Sequence, residues 1–197
     1  MLSTMVDPFD SLERAVSARV SLRPADADLL RLSFQRVDVA RRGYYLRPGE
    51  TCSRIGFLAA GCLAASESNG RGEVTVHIFI EDSFVADYYS YLTVTPSVQS
   101  IRAIEDSALL VADRQAIDRL YDAVPSWERL GRLIAEEVYM CAHVRTASLM
   151  HDSAEDRYAK FVNDRPELVA RLPQHVVASY IGVTPETLSR IRGRSKQ

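Results

Sequence analysis

Cysteine is scarce in this chain of 197 residues: Cys52, Cys62 and Cys141 are scattered and odd in number. No C-x-x-C spacing occurs, so neither a zinc site nor an iron–sulfur cluster is signalled, and the three thiols are expected as reduced core residues. The four histidines, His77, His143, His151 and His175, are too dispersed for metal or haem ligation. No apolar run approaches the ~20 residues that span a bilayer, so no membrane partner is expected. No basic segment followed by an apolar run opens the chain, so the expectation is a cytoplasmic protein without a signal peptide. Internal repeats and low-complexity tracts are lacking. So are a Ser-His-Asp set, a P-loop and paired carboxylates, and no enzyme is expected. Net charge is only −2, which excludes a polycation.

The charge is unevenly spread, however. Residues 165–197 hold six Lys/Arg and two Asp/Glu, a net of +4. The preceding 164 residues carry a net of −6. A basic tail on an acidic body fits a small DNA-contacting module joined to a different domain.

That tail contains Leu172-Pro-Gln-His-Val-Val-Ala178-Ser-Tyr-Ile-Gly182-Val-Thr184-Pro185-Glu186-Thr187-Leu188-Ser189-Arg190-Ile191-Arg192. It reads as two short helices and a tight turn. Val176, Val177, Tyr180 and Ile181 recur at helical spacing. Ala178 is small enough for a close helix crossing. Gly182 can end the first helix in a left-handed conformation. Val183 fills the space between the helices. Thr184 is a good N-cap, and Pro185 loses no hydrogen bond at the first helical position. Leu188 and Ile191 face inward. Glu186, Thr187, Ser189, Arg190 and Arg192 are left outward, and such groups suit base edges in a major groove.

Upstream, residues 8–34 carry helical patches. Residues 35–39, 43–46, 55–60, 62–66, 73–80 and 97–113 are rich in Val, Ile and Tyr and are separated by turn residues. Many short strands at this spacing predict an antiparallel sandwich or roll. Val74, Val76, Ile78 and Ile80 alternate with Thr75, His77 and Phe79, which predicts one apolar face. Residues 84–92 read as a short aromatic helix or turn. A long helix is predicted over 126–150, with Trp127, Leu130, Ile134, Val138 and Cys141 as its apolar stripe and Leu133, Met140, Val144 and Leu149 broadening it. A helix this apolar needs cover on two sides. The roll can supply one and a second copy of the helix the other; the alternative is a monomer whose helix packs wholly on its own roll. Ser153-Ala-Glu-Asp156 has the form of a capping box and opens one further helix.

This order, with the glycine turn Leu46-Arg47-Pro48-Gly49-Glu50, the Gly61-Cys62-Leu63 step, residues 153–158 and the helix-turn-helix, resembles the Crp/Fnr family of bacterial transcription regulators. The resemblance covers nearly the whole chain. It implies an α+β fold: an N-terminal β-roll like a cyclic-nucleotide-binding domain over 1–125, a dimerisation helix over 126–152, and a helix-turn-helix domain over 153–197. It implies a homodimer held by the central helices, reading a palindromic operator in double-stranded DNA, with RNA polymerase as a further partner. Glu186, Ser189 and Arg190 match the E-x-x-S-R of the Fnr-like branch, whose positions read bases. Gln174, Thr184, Thr187, Arg192, Arg194 and Lys196 are then expected on phosphates.

The chain departs from the family in two places. Cyclic-nucleotide members carry a Gly-Glu and a later arginine in the phosphate cassette. Here Ala86-Asp87 stands for the first, and Pro96 or Ser97 for the arginine. Neither offers a guanidinium fork, so cyclic AMP is not the expected ligand and the effector stays open. Asp87, Tyr88, Tyr89, Thr95 and Ser97 are the candidate effector pocket, with packing in the roll as their alternative role. Arg102 lies further along the strand. Second, where some members continue into a β-hairpin wing, only Gly-Arg-Ser-Lys-Gln follows Arg192, and Arg194 and Lys196 are expected to substitute electrostatically. Two other readings remain. One is a small-molecule sensor acting through protein contacts without specific DNA binding, which the basic tail opposes. The other is a cupin-type enzyme, which needs a His/Glu cluster, whereas His77 is the only strand histidine.

Overall fold

The computed structural model describes residues 7–68, 70 and 72–194. These form two compact units, one of residues 7–65 with 78–136, the other of residues 66–68, 70 and 72–77 with 137–194.

The first unit opens with helix α1 (Pro8–Ser17), capped by Asp7, whose carboxylate accepts the Phe9 N–H at 3.1 Å. Helix α2 (Pro24–Ser33) follows. Both have proline in the first turn, where no hydrogen bond is lost. Strands β1 (Gln35–Val39), β2 (Tyr44–Leu46), β3 (Arg54–Ala60), β4 (Leu63–Ser68), β5 (Glu73–Phe79), β6 (Ser83–Val85), β7 (Gln99–Ala103) and β8 (Ser107–Asp113) then form two four-stranded sheets, in the orders β1-β8-β3-β6 and β2-β7-β4-β5. β8 runs antiparallel to both β1 and β3, with Phe57 opposite Leu110. Gly61 makes the step between β3 and β4 at φ +103°. A Cβ there would lie 2.3 Å from Ser107 Oγ and 2.7 Å from Ser107 Cα, so only glycine fits.

The apolar core of this unit is contributed by α1, α2, β3, β8 and the helices after them. Leu12, Val16, Leu30, Phe57, Leu110 and Leu120 are all at most 1% exposed. The edge of the Phe34 ring meets Trp127 at 6.4 Å. Burying each such side chain contributes about 1.5–3 kcal/mol.

The roll is as expected, with four differences in detail. Residues 84–92 divide into β6 and a short helix α3 (Tyr88–Thr93), because Asp87 caps the helix by accepting the Ser90 N–H. The long run 97–113 is two strands, β7 and β8. Helix α4 (Arg114–Ala123) follows β8 and has no counterpart in the sequence reading. Its cues are the Asp113 N-cap and the buried Ala116, Ile117 and Leu120 on one side. In β5, Thr75 is buried at 4% exposure, against the predicted alternation.

Helix α5 (Pro125–His151) matches its prediction to within a residue at either end. Its apolar stripe, however, is turned inward at the start. Trp127 and Leu130 are buried in the core of their own unit, and Ile134 packs partly against it. Further along, Val138 is 42% exposed, and Cys141 is exposed rather than in a core. The apolar surface left open lies at Tyr139, Met140, Val144 and Met150. Helices α6 (Ala154–Asp164), α7 (Pro166–Arg171), α8 (Gln174–Ile181) and α9 (Pro185–Arg194) complete the second unit. The short α7 was not anticipated. Pro166, two residues past the end of α6, is its first residue.

Candidate nucleic-acid interface

Each helix of the second unit starts or ends on a specific signal. Ser153 caps α6: its Oγ accepts the Asp156 N–H at 3.1 Å and donates to the Asp156 carboxylate at 2.6 Å. Helix α8 ends at Gly182, φ +76°. Gly182 N–H donates to Ser179 O at 3.1 Å, and Val183 N–H to Ala178 O at 2.9 Å, the paired bonds of a Schellman turn. Thr184 Oγ1 accepts the Thr187 N–H at 3.3 Å and so opens α9.

Val176, Val177, Ala178, Ile181, Leu188 and Ile191 are buried, as the two-helix reading requires. The Phe161 ring of α6 meets Tyr180 at 5.7 Å. Three side chains of α9 are left exposed on successive helical positions of one face, Glu186, Ser189 and Arg190. Arg190 Nη2 donates back to Thr187 Oγ1 at 3.0 Å. The backbone N–H of Glu186 and the Thr184 hydroxyl hold the Glu186 carboxyl below the usual carboxylate range, so it is an acceptor at neutral pH.

The other candidate contacts are distributed around this face. Gln174 and Thr184 are exposed, while Thr187 and Arg192 are half-buried. Arg194 is exposed and pairs with Glu155 of α6 at 3.4 Å. Lys196 lies outside the described residues.

The sequence reading missed two arginines that hold this unit together. Arg145 of α5 donates through Nη1 to Tyr180 O at 2.9 Å and through Nη2 to Thr75 O at 2.8 Å. Its guanidinium lies 4.2 Å from the Tyr180 ring centroid, and burial lowers its pKa. Arg157 of α6 donates through Nε to Ile181 O at 2.6 Å and through Nη1 to Asp152 O at 2.7 Å. A signal existed for Arg145: it falls four residues after Cys141, on the line of the apolar stripe. A cavity of about 670 Å³ in this unit is lined by His77, Met140, Val144, Leu149, Arg145 and Arg165 among others. Burial, then the Arg165 and Arg145 charges, push the His77 pKa down to about 4.

In the first unit, the candidate effector residues separate into two groups. Asp87 and Ser97 are buried and bonded to each other, Ser97 Oγ donating to the Asp87 carboxylate at 2.5 Å. Tyr88 is half-buried, whereas Tyr89 and Thr95 are exposed. Arg102 lies on the other side of β7 from the buried Ile101 and Ala103, 6.0 Å from the Tyr44 ring, which Arg47 approaches at 4.3 Å. Among the described residues, no group of three or more His, Cys, Asp or Glu could hold a metal ion. None of the described helices is long and apolar enough to cross a membrane.

No family model and no curated protein matches the chain. Solved structures do. The chain is similar to FixK2 from Bradyrhizobium japonicum, with TM-score 0.73 and 12% identity over 82% of this chain and 83% of that one. It is similar to the c-di-GMP responsive global regulator CLP of Xanthomonas campestris, with TM-score 0.72 and 13% identity over 88% and 92%. It is also similar to a protein from Eubacterium rectale assigned as a transcriptional regulator of the Crp/Fnr family, with TM-score 0.69 and 14% identity over 89% and 84%. The chain has the fold of the Crp/Fnr regulators.

Proposed function

We propose that this protein is a sequence-specific regulator of transcription that binds double-stranded DNA as a homodimer. The observation that carries the reading is the exposed Glu186, Ser189 and Arg190 face of α9, on a helix entered through a tight glycine turn and a threonine cap. Arg190 swings from Thr187 to a guanine, Glu186 accepts from a cytosine amino group, and Ser189 bonds either partner of a base pair. Gln174, Thr184, Thr187, Arg192, Arg194 and Lys196 bind phosphates. Residues 1–125 are the sensor, 126–152 the dimerisation helix and 153–197 the reader.

Two copies meet along α5, where Met140 and Val144 are 56% and 66% exposed. The resulting pair of reading helices calls for a palindromic operator. An effector of the roll would meet Tyr89 and Thr95, since Asp87 and Ser97 already satisfy each other. RNA polymerase is the partner through which bound protein acts.

Selection from random duplexes tests the reading. The wild type should enrich one palindrome. Arg190→Ala should lose about 1–3 kcal/mol of binding and relax preference at one position in each half-site. Equal loss on all sequences would assign Arg190 to the backbone. Enrichment of no sequence would leave a sensor acting through protein contacts.

A further inference from the structure

β5 ends the order of its sheet, and the outer main-chain groups of such a strand ordinarily need cover. Helix α8 supplies it. The Thr75 N–H donates to Ser179 Oγ at 2.8 Å, and the Ser179 hydroxyl donates to Glu73 O at 3.2 Å. Arg145 completes the set by donating to Thr75 O. One serine and one arginine thus bond the main-chain groups of Glu73 and Thr75 much as a neighbouring strand would.

The other arm of Arg145 reaches Tyr180 O, in the last turn of α8. That carbonyl is one of the four a helix C-terminus leaves without an intrahelical donor. Arg157 takes the next one, at Ile181. Gly182 follows at once, and α9 begins three residues later. The direction of α9 is therefore set where these carbonyls are held. A planar guanidinium can bridge two carbonyls in fixed geometry, which an ammonium on a flexible stem does not do.

We propose that Arg145 is a positioning residue for DNA reading: it holds the last turn of α8 on the edge of β5 and so fixes where α9 starts. The proposal rests on α9 being the reading helix, and neither Arg145 nor Ser179 touches DNA in it.

The test uses the full chain with Arg145→Lys, which keeps the charge, and Ser179→Ala, which removes one hydroxyl. Amide exchange is read first, without DNA. Ser179→Ala should speed exchange at Thr75, and Arg145→Lys at Gly182 and Val183, each by about tenfold or more, the loss of one net hydrogen bond. Affinity for the duplex that the wild type selects should fall about tenfold or more in Arg145→Lys, with the order of base preferences kept and the melting temperature lowered by only a few degrees. Unlike Arg190→Ala, it should not relax any single position.

Faster exchange with unchanged affinity would overturn the positioning role. So would unchanged exchange and affinity together. If Arg145→Lys does not fold, Ser179→Ala decides by the same two readouts. If the wild type selects no duplex, the DNA reading fails and positioning fails with it, while the exchange data still show whether the clamp exists.

Discussion

Two kinds of joint hold this molecule. In the unit of residues 7–65 and 78–136, apolar packing dominates: Leu12, Phe57, Leu110 and Leu120 are fully buried and share one cluster, beside which Arg54 and Arg114 add bonds to the Tyr45 and Tyr91 carbonyls. In the unit of residues 66–77 and 137–194, the helices have their own small apolar contacts, but guanidinium groups tie one element to the next through main-chain carbonyls. Apolar burial is non-directional and rewards area. A hydrogen bond rewards one angle and one distance. The first kind suits a packed roll. The second suits a helix that must be aimed.

The comparison can be broken from the roll side first. Leu110→Ala should cost roughly 2–5 kcal/mol by urea unfolding, since the side chain is fully enclosed. A loss under about 1 kcal/mol would mean the site collapses freely and that the roll is not held by close packing.

The His77 titration is next. Its folded pKa, about 4, lies below the ordinary 6.5, so the folded state keeps it neutral. As pH falls through 6.5 the unfolded chain takes up the proton first. Stability is therefore lost from about 6.5 down to about 4, by up to about 3 kcal/mol, and no further below that. His77→Gln should remove this part of the slope between pH 7 and 4. A variant that loses stability with pH as the wild type does would show that His77 is not held neutral.

The smallest effect tests the turn. Gly182→Ala puts a Cβ at positive φ, 3.1 Å from Leu149 Cδ2, and should cost about 1–2 kcal/mol in thermal unfolding. A neutral result would mean that the turn relaxes, and that its angle is not fixed by the backbone.

The same contrast explains what could be read in the sequence. Period-2 and period-3.6 patterns report apolar burial, so β1 to β5, α5 and the α8–α9 pair are legible to within two residues, whereas the break between β7 and β8 and the short β6 are not. The buried positions of the helix-turn-helix followed from Val176, Ala178, Ile181, Leu188 and Ile191. Helix α4 was hidden because Arg114, Gln115, Asp118 and Arg119 dilute its apolar side. Thr75 looked solvent-facing because alternation carries no word of a serine on a distant helix. The stripe from Trp127 to Cys141 does not say which surface covers each residue; Trp127 and Leu130 lie in the core of their own unit. Arg157 looks like an ordinary helix-surface arginine, and Arg145, though on the line of the apolar stripe, does not announce its partners. Their role depends on which carbonyls come within reach, and that is fixed only when four elements meet.

Cys141 gives the molecule an unplanned experimental handle. Cys52 and Cys62 are 1% and 0% exposed, and burial pushes the Cys52 thiol above its usual pKa. Cys141 alone of the three is exposed. A maleimide dye or spin label should therefore attach at this one address in a single protomer, and pairing of two copies along α5 should slow the reaction, since the accessible thiolate is the nucleophile. That address is one helical turn before Arg145, so the label would report the state of the clamp in solution without any engineered cysteine.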